Sequence, residues 1–325
     1  LRHDKGYLIN MGGEVVNEWQ LNTGGVNRCR LTDSGNLFIT EMSEDGPPLY
    51  AGKGGRIREY DWDGALVWEH HDGNQHHDAR RLPSGNTLYI AWDPFDGATA
   101  KRVRGGLPGT EKEGVIYGDS IREVTSDGKL VWEWGTREME IENYPICPLC
   151  PRAEFAHANT CSPLPNGDVL ISFRVLNLLI IVDKETRKIK WERQDIAFGH
   201  QHDSHILDNG NILVFCNGFH GRDVDMASSV REFNPDNGEV IWEFKAKPMT
   251  SFFSANISGA QRLWSGNTLI CEGNRGCLFE VAPDGEIVWE YVNPYLSPHP
   301  AFGSTNWIFR AYRYAPDAPQ LQGRF

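Results

Sequence analysis

The sequence predicts an all-β protein, a six-bladed β-propeller closed by N- and C-terminal strands in the same blade. Two repeated turns lead to this fold class. A Gly-Asn or Gly-Asp turn that follows a leucine occurs at Gly35, Gly85, Gly167, Gly210 and Gly266. A second turn follows each of these, and a tryptophan stands four residues after its last residue in all five repeats. Repeats of about 40 to 50 residues with two hairpins each are typical of propeller blades.

Five complete blades can be assigned along the chain. Their second hairpins carry Trp68, Trp132, Trp191, Trp242 and Trp289. Each pair of hairpins predicts four antiparallel strands, which bury both faces only when the blades stack around a common axis. Two stacked β-sandwiches would not need the same tryptophan offset in every repeat.

The two ends of the chain supply the remaining pieces. Residues 6–19 read as a second hairpin that ends in Trp19, and residues 306–314 read as a strand. We expect residues 7–19 and 306–314 to share the sixth blade, because closure of the ring removes exposed sheet edges. Residues 1–325 are therefore expected to form a single propeller domain.

Composition and charge narrow the possible partners. A formal net charge of -12 argues against nucleic acid or an anionic membrane as the main partner. The longest apolar runs are far shorter than the roughly 20 residues of a membrane-spanning helix, so no membrane span is expected. The seven cysteines are mostly isolated in apolar strands, which favours free thiols and a cytoplasmic location. If a signal peptide has been removed, the location would be periplasmic instead.

The long connections predict which face of the propeller carries the function. Turns within hairpins are short, and the extra chain lies in residues 93–118, 136–156, 217–229 and 291–305. Connections between hairpins and between blades emerge on the same face of a four-stranded meander. Most of the histidines precede first strands or lie in these connections, so they are expected on the elaborated face.

Counting back from each first turn glycine predicts a cluster on the propeller axis. Eight residues before the glycine stand Asn27, His77, Asn159, His202 and Ser258, and ten residues before it stand Gly25, Gln75, His157, His200 and Asn256. The innermost strand of each blade lines the axis, so these side chains should converge at one mouth of a central channel. The alternative is a wet channel in which histidines bridge blades through water.

Clustered imidazoles can act as nucleophile, acid, base or metal ligand. Arginines at Arg80, Arg174 and Arg275 favour an anionic group over a metal cation, because a guanidinium binds tetrahedral oxyanions with paired hydrogen bonds. We therefore expect no metal and a small aromatic or anionic substrate. The alternative is a transition metal, iron, copper or zinc, held by His77, His157, His202 and His205. A non-catalytic propeller that binds ligands is a third possibility.

Several motifs resemble those of the bacterial arylsulfotransferase-like proteins. They are the Leu-Pro-Asn-Gly and Asp-Gly-Glu-Ile-Val-Trp-Glu repeats, residues 155–159 leading to Arg174, residues 201–203 leading to 215–218, and residues 309–314. The resemblance covers essentially the whole chain. It implies a six-bladed propeller that transfers a sulfuryl group from an aryl sulfate to a phenol, through a sulfated histidine and without a nucleotide cofactor.

The resemblance also implies roles for individual residues. His202 resembles the nucleophile of the family, and His77 resembles its supporting histidine. The group that holds the sulfate would be His157, Asn159 and Arg174. We further expect His77 or His205 to protonate the departing phenolate. Candidates for substrate binding are Arg80, Arg275, Asn217 and Ser258.

For periplasmic enzymes the resemblance implies a clean disulfide pair, and we do not expect one in this sequence. It has instead Cys147-Pro-Leu-Cys150. With His157 and Cys161 this pair loosely resembles a zinc knuckle. A local disulfide or a reduced pair is the favoured interpretation, and a zinc site with other ligands or a redox motif is the alternative.

Overall fold

The computed structural model describes residues 4–21, 25–220, 226–299 and 302–324. The ends of the predicted 1–325 domain and parts of connections 217–229 and 291–305 lie outside these residues. No helix within the described ranges is long and apolar enough to cross a membrane. The fold is an all-β propeller, as predicted.

Five blades of four antiparallel strands follow one another along the chain. The chain begins with β1 (Lys5–Ile9) and β2 (Val15–Gln20), and blade 1 comprises β3 (Val26–Leu31), β4 (Leu37–Met42), β5 (Gly55–Tyr60) and β6 (Leu66–His71). Blade 2 comprises β7 (Gln75–Arg81), β8 (Thr87–Pro94), β10 (Tyr117–Val124) and β11 (Leu130–Gly135), and the connection between β8 and β10 holds α1 (Gly97–Arg102) and β9 (Gly105–Leu107).

After β12 (Ile146–Pro151), blade 3 comprises β13 (Ala158–Pro163), β14 (Val169–Phe173), β15 (Leu178–Val182) and β16 (Ile189–Gln194). Blade 4 comprises β17 (His202–Ile206), β18 (Ile212–Cys216), β19 (Ser229–Phe233) and β20 (Val240–Phe244). Blade 5 comprises β21 (Gly259–Arg262), β22 (Thr268–Glu272), β23 (Cys277–Val281) and β24 (Ile287–Val292), and β25 (Ser297–His299) and β26 (Gly303–Thr305) follow it.

Short 3-10 helices lie in several connections. They span Thr136–Glu138, Ile141–Asn143, Arg174–Leu176, Ile196–Phe198, Met249–Ser251, Gly273–Arg275 and Pro319–Leu321.

The expectation of six blades was wrong, because the described residues form five. In the part of the chain that the structure describes, strands β1 and β2 pair only with each other, and residues 306–314 form no strand. The backbone of this segment bonds elsewhere. Ile308 N donates to Gly273 O, and Arg313 N donates to the side-chain oxygen of Gln261. The segment therefore follows blade 5 instead of pairing with β1.

The repeated tryptophans fasten each blade to the next. The indole N–H of Trp68, Trp132, Trp191, Trp242 and Trp289 donates to a backbone carbonyl of Ser126, Lys184, Pro235, Pro283 and Met11 respectively. The first four acceptors lie in the second-hairpin turn of the following blade, and Met11 lies in the turn between β1 and β2. The N-terminal hairpin thus takes the place of a second hairpin between blade 5 and blade 1.

The first strands form the inner ring of the propeller. Strands β3, β7, β13, β17 and β21 contact one another from blade to blade. Fourth strands such as β6, β16 and β24 alternate between half-buried and exposed residues. Two long connections meet each other, because β9 pairs in parallel with β12. The strand β12 also packs against the 3-10 helix Arg174–Leu176 that follows β14.

Candidate functional site

The inner strands carry bulges at the positions that the repeat count singled out. The ladder shifts register between Val26 and Arg28, His76 and Ala79, Ala158 and Thr160, and His202 and His205. A bulge re-aims side chains away from the regular alternation of a strand. The side chain of Asn27, within the first bulge, lies outside the described residues. The same irregularity in successive blades thus sets the direction of the site side chains.

His202 is held in one tautomer by Asn217. Its Nδ1 lies 2.7 Å from Asn217 Oδ1. The amide of Asn217 is itself oriented, because its Nδ2 donates to the carbonyls of Ser254 and Ile257. Asn217 therefore offers an oxygen, and His202 must donate from Nδ1. In the neutral ring the lone pair is then on Nε2.

Asn159 fixes the backbone next to His202. Its Nδ2 donates to Gln201 O at 2.8 Å, and its Oδ1 accepts from Thr160 Oγ1 at 3.4 Å. The side chain is fully buried. Asn159 therefore links blade 3 to the start of β17 and positions the peptide that precedes His202.

His157 is paired with a carboxylate from the long connection above it. Its Nδ1 lies 3.0 Å from Glu154 Oε1, and the other oxygen of Glu154 accepts from Trp92 Nε1 at 2.9 Å. Burial alone would raise the pKa of Glu154, but His157 lowers that pKa to about 2 with help from His76 and Trp92. The carboxylate is therefore ionised, and it orients the imidazole so that Nε2 is free.

His77 is backed by a second histidine and a second carboxylate. Its Nδ1 lies 2.8 Å from His76 Nδ1, and His76 Nε2 lies 3.2 Å from Asp119 Oδ1. All three side chains are buried. Gly52 leaves room for the ring of His77, because a Cβ at position 52 would lie 2.1 Å from that ring. The carboxylate of Asp119 favours a proton on His76 Nε2, so that His76 Nδ1 accepts from His77 Nδ1 and the lone pair of the neutral His77 ring is on Nε2.

The three imidazoles and Arg174 act on one another. The rings of His77 and His157 pack edge to face, with centroids 4.7 Å apart. Burial lowers the pKa of His202 well below its usual range, and the charge of Arg174 lowers it further. The pKa of His77 is lowered in the same way by burial, and further by His157, His76, His202 and Arg174. His77 and His202 are therefore neutral near pH 7.

A buried layer of charges adjoins these histidines. Arg28 and Arg80 bond Asp78, and Arg310 lies 3.2 Å from Asp203. Burial would raise the pKa of Asp203, but Arg310 and other cations hold it below its usual value. His205 belongs to this layer, because its Nδ1 lies 3.1 Å from Asp203 O and its pKa is lowered by burial and by Arg80 and Arg310.

Two predicted binding residues lie apart from the histidines. The guanidinium of Arg275 is 59% exposed and donates to Ser251 O. Ser258 is fully buried, donates to Ser254 Oγ and accepts from Gly273 N. Within the described ranges, neither side chain forms a hydrogen bond or ion pair with His77, His157 or His202. Arg80 bonds Asp78, so it supports the charged layer.

The repeat count missed the partners that orient the histidines. Asp119 is on the third strand of blade 2, and Glu154 is in a connection without a counterpart in other blades. Arg310 is in the terminal segment. Only His76 carried a signal, as the neighbour of His77. Counting within the repeat identifies side chains on the inner strands. It does not identify residues that reach the axis from other strands, from connections or from the terminal segment.

Among the described residues, one group of side chains places its ligand atoms close enough together to hold a metal ion. This group differs from the four histidines that the sequence offered as metal ligands. Cys147, Cys150, His200 and His220 each offer one ligand atom, and these atoms lie within 4.8 Å of one another. The alternative set of His77, His157, His202 and His205 forms no such group. His157 is also not a partner of the cysteines, since it faces Glu154.

Comparison with known proteins identifies the family. Two family models described as arylsulfotransferase (ASST) match residues 110–294 and 4–195. The chain belongs to the arylsulfotransferase family. Both matched ranges include His157, Asn159 and Arg174, the first adds His202 and the second adds His77. The resemblance noted from the motifs is thereby confirmed.

Two solved structures are similar to this arylsulfotransferase-family chain, and the first of them supports the fold alone. A protein of unknown function from Bacteroides caccae has a TM-score of 0.56 at 16% identity, with 89% of each chain covered. A virginiamycin B lyase from Staphylococcus aureus has a TM-score of 0.49 at 14% identity, covering 90% of this chain and 74% of its own. No curated protein matches the sequence.

Proposed function

We propose that this chain transfers a sulfuryl group from an aryl sulfate to a phenolic acceptor, with His202 carrying the group between the two. Membership of the arylsulfotransferase family supports the reaction class. The observation that carries the proposal is the hydrogen bond between His202 Nδ1 and Asn217 Oδ1. It leaves the lone pair of a neutral imidazole on Nε2, and a neutral ring nitrogen is a competent nucleophile near pH 7.

In the first half of the reaction, His202 Nε2 attacks sulfur. An N–S bond forms, the bond between sulfur and the aryl oxygen breaks, and the electron pair leaves with the phenolate. Arg174 is suited to hold the sulfate oxygens, because its guanidinium offers paired donors. An anionic ester next to His77 raises the pKa of that imidazole, since a neighbouring negative charge favours the cation. As the anion binds, His77 takes up a proton from solvent on Nε2, and it then gives this proton to the phenolate.

The second half reverses these steps with a different phenol. The acceptor hydroxyl gives its proton to His77 Nε2 while its oxygen attacks sulfur. The N–S bond breaks, and its electron pair returns to His202. Atoms and charges balance without a cofactor, and we propose that none is needed. His205, the other candidate for the proton transfer, contacts Asp203 O in the charged layer, which favours His77 for this role. A cytoplasmic location stays a prediction.

The test is a labelling experiment with 4-nitrophenyl sulfate that carries radioactive sulfur. The wild-type chain should release a burst of nitrophenol equal to the enzyme present and retain one sulfuryl group. The variant His202→Asn should lose both the burst and the label. A matched control is His71→Asn, because the side chain of His71 is exposed and its Nε2 lies 3.0 Å from Asp45 Oδ2 at the surface.

Two results would contradict the proposal. One is a label that survives in His202→Asn. The other is a wild-type chain that turns over without ever becoming labelled and that loses its activity when a metal is removed. The second result would favour metal-dependent chemistry at this site.

A further inference from the structure

The long connection before blade 3 carries two cysteines that meet two histidines of blade 4. Cys147 and Cys150 are on β12, His200 precedes β17, and His220 follows β18. Cys150 and His200 are buried, while Cys147 and His220 are half-buried. All seven cysteines are free thiols, and these two have no disulfide between them.

We propose that Cys147, Cys150, His200 and His220 bind one zinc ion. The distances match the edges of a tetrahedral site. Cys147 Sγ and Cys150 Sγ lie 3.5 and 3.6 Å from His220 Nδ1, and Cys150 Sγ lies 3.8 Å from His200 Nε2. With Zn–S near 2.3 Å and Zn–N near 2.0 to 2.1 Å, a tetrahedral ion separates sulfur from nitrogen by about 3.6 Å.

The donor set selects the metal and its role. Two thiolates with two imidazoles in a tetrahedron are typical of zinc, whereas carboxylate and carbonyl oxygens suit magnesium or calcium. Four protein ligands leave no open position, which is the arrangement of a structural site. Two thiolates also neutralise the charge of Zn²⁺, so the ion is compatible with a neighbouring guanidinium.

That guanidinium belongs to Arg174, which begins the 3-10 helix that packs against β12. The same connection continues from Cys150 to Glu154, which holds His157 at 3.0 Å. The ion would therefore fasten β12 to blade 4 and position both Arg174 and Glu154. This site is separate from the histidine cluster, and its occupancy does not depend on the proposed sulfuryl transfer.

The backbone at both histidine ligands is held in an unusual conformation. His200 has φ 66° and His220 has φ 54°. Residues other than glycine rarely adopt this left-handed backbone conformation. They keep it where the surrounding structure holds them in place. The aromatic ring of Phe219 stacks on His220 at 4.0 Å and packs against His200 at 5.9 Å, which fixes the two imidazoles relative to each other.

Metal content of the full chain, purified under reducing conditions with zinc present, is the direct test. Elemental analysis should find about one zinc per chain. The variants Cys150→Ser and His220→Gln should each bind at most about one fifth of the zinc that the wild-type chain binds. Cys277→Ser is the matched control, because Cys277 is on β23 of blade 5 and is expected to leave the zinc content unchanged. Cobalt(II) added to the metal-free chain should give the visible absorption of tetrahedral thiolate coordination.

A titration of the wild-type chain keeps the test independent of how the variants fold. The reduced, metal-free chain should take up one equivalent of zinc and release it to a chelator only slowly. The proposal is overturned if the reduced chain takes up no zinc, or if the double variant Cys147→Ser/Cys150→Ser keeps it. It is also overturned if mass spectrometry of the chain, purified without oxidants, finds a Cys147–Cys150 disulfide. Sulfuryl labelling of His202 is measured separately, so either proposal can fail alone.

Discussion

Three histidines near the axis have left-handed backbones. The φ angles are 53° at His77, 55° at His157 and 66° at His200. Such a conformation costs roughly 1 to 2 kcal/mol for a residue with a Cβ, so glycine would be the more stable choice at each position on backbone grounds alone. His77 lies within the bulge of β7, and His157 and His200 lie just before the bulged strands β13 and β17. The imidazoles of His77 and His157 are oriented there by His76 and Glu154. Backbone strain of this kind is typical of functional sites.

Arg174 is expected to control both the rate and its pH dependence. Replacing it with alanine should lower kcat/KM for an aryl sulfate by roughly 10²-fold to 10³-fold, as for other donors to a transferring oxyanion. Arg174 lowers the pKa of His202, so its removal should raise that pKa. As the pH is lowered, the Arg174→Ala variant should therefore begin to lose activity at a higher pH than the wild type does. Arg174→Lys keeps the charge and should keep the wild-type position of this acid limb.

Measurement of kcat/KM between pH 5 and 8 for the three chains checks this prediction. In the wild type, activity should stay level well below pH 6.5, because a lowered pKa keeps His202 neutral there. An acid limb that does not move in Arg174→Ala would show that the guanidinium does not act on the nucleophile. Zinc content of the variants separates this effect from a change at the neighbouring cysteines.

Asp119 and His76 are expected to act through His77. In Asp119→Ala the carboxylate that lies 3.2 Å from His76 is lost, so His76 and His77 no longer have a fixed tautomer. The rate with a phenol of high pKa as acceptor should fall by roughly 10²-fold, in the range of a lost general base. The burst with 4-nitrophenyl sulfate should change much less, because nitrophenolate needs little help to leave.

Comparison of the burst with the rate of transfer to the acceptor tests this assignment. Equal loss in both halves of the reaction would indicate a structural role for Asp119. Arg81→Ala is a suitable control for general destabilisation, because Arg81 pairs with Glu59 and packs on Trp68 away from the histidines.

At the scale of elements, the repeats explain what the sequence could predict. A turn glycine and a tryptophan at fixed offsets identified five blades, because each tryptophan has the same task of bonding the next blade. Counting from the glycine also brought His77, His157 and His202 together, since inner strands start at equivalent places. The partners Asp119 and Glu154 come from a third strand and an insertion, where no repeat position marks them. The side chain of Arg275, at the end of the 3-10 helix that follows β22, is exposed, and its repeat position gave no sign of this.

The bond between blades can be measured at Trp191. Its Nε1 donates to Pro235 O at 3.0 Å. Trp191→Phe keeps most of the packing but removes the donor, so the free energy of unfolding should fall by about 1 to 2 kcal/mol. Trp264→Phe is the control, because Trp264 is 59% exposed and should cost less than about 0.5 kcal/mol. Chemical denaturation of both variants gives the comparison, and equal losses would argue against the bond between blades.

At the scale of the whole molecule, closure of the ring rests on contacts rather than on a sixth sheet. The hairpin of β1 and β2 accepts from Trp289 through Met11 and donates to blade 1 through Trp19. Residues 306–314 were expected to share a sixth blade with this hairpin, because such closure would remove exposed sheet edges. Their side chains bond the propeller instead, with Arg310 near Asp203 and Arg313 on Glu280. Sequence pattern gave the location of the segment and not its hydrogen-bond partners.

Removal of the terminal segment should therefore destabilise every blade together. A chain that ends at Thr305 loses the phenol of Tyr314 that accepts from Leu31 N in blade 1 and the arginine that neutralises Asp203 between blades 4 and 5. A buried carboxylate left without its partner typically costs about 3 to 5 kcal/mol, a large fraction of the stability of an ordinary domain. A chain that ends at Leu321 keeps both contacts and is the matched control. Thermal unfolding of the two truncations should show a folded, cooperative control and a shorter chain that is unfolded or lacks a cooperative transition. A cooperative transition of the shorter chain near the wild-type temperature would mean that the five blades and the hairpin close the ring without the segment.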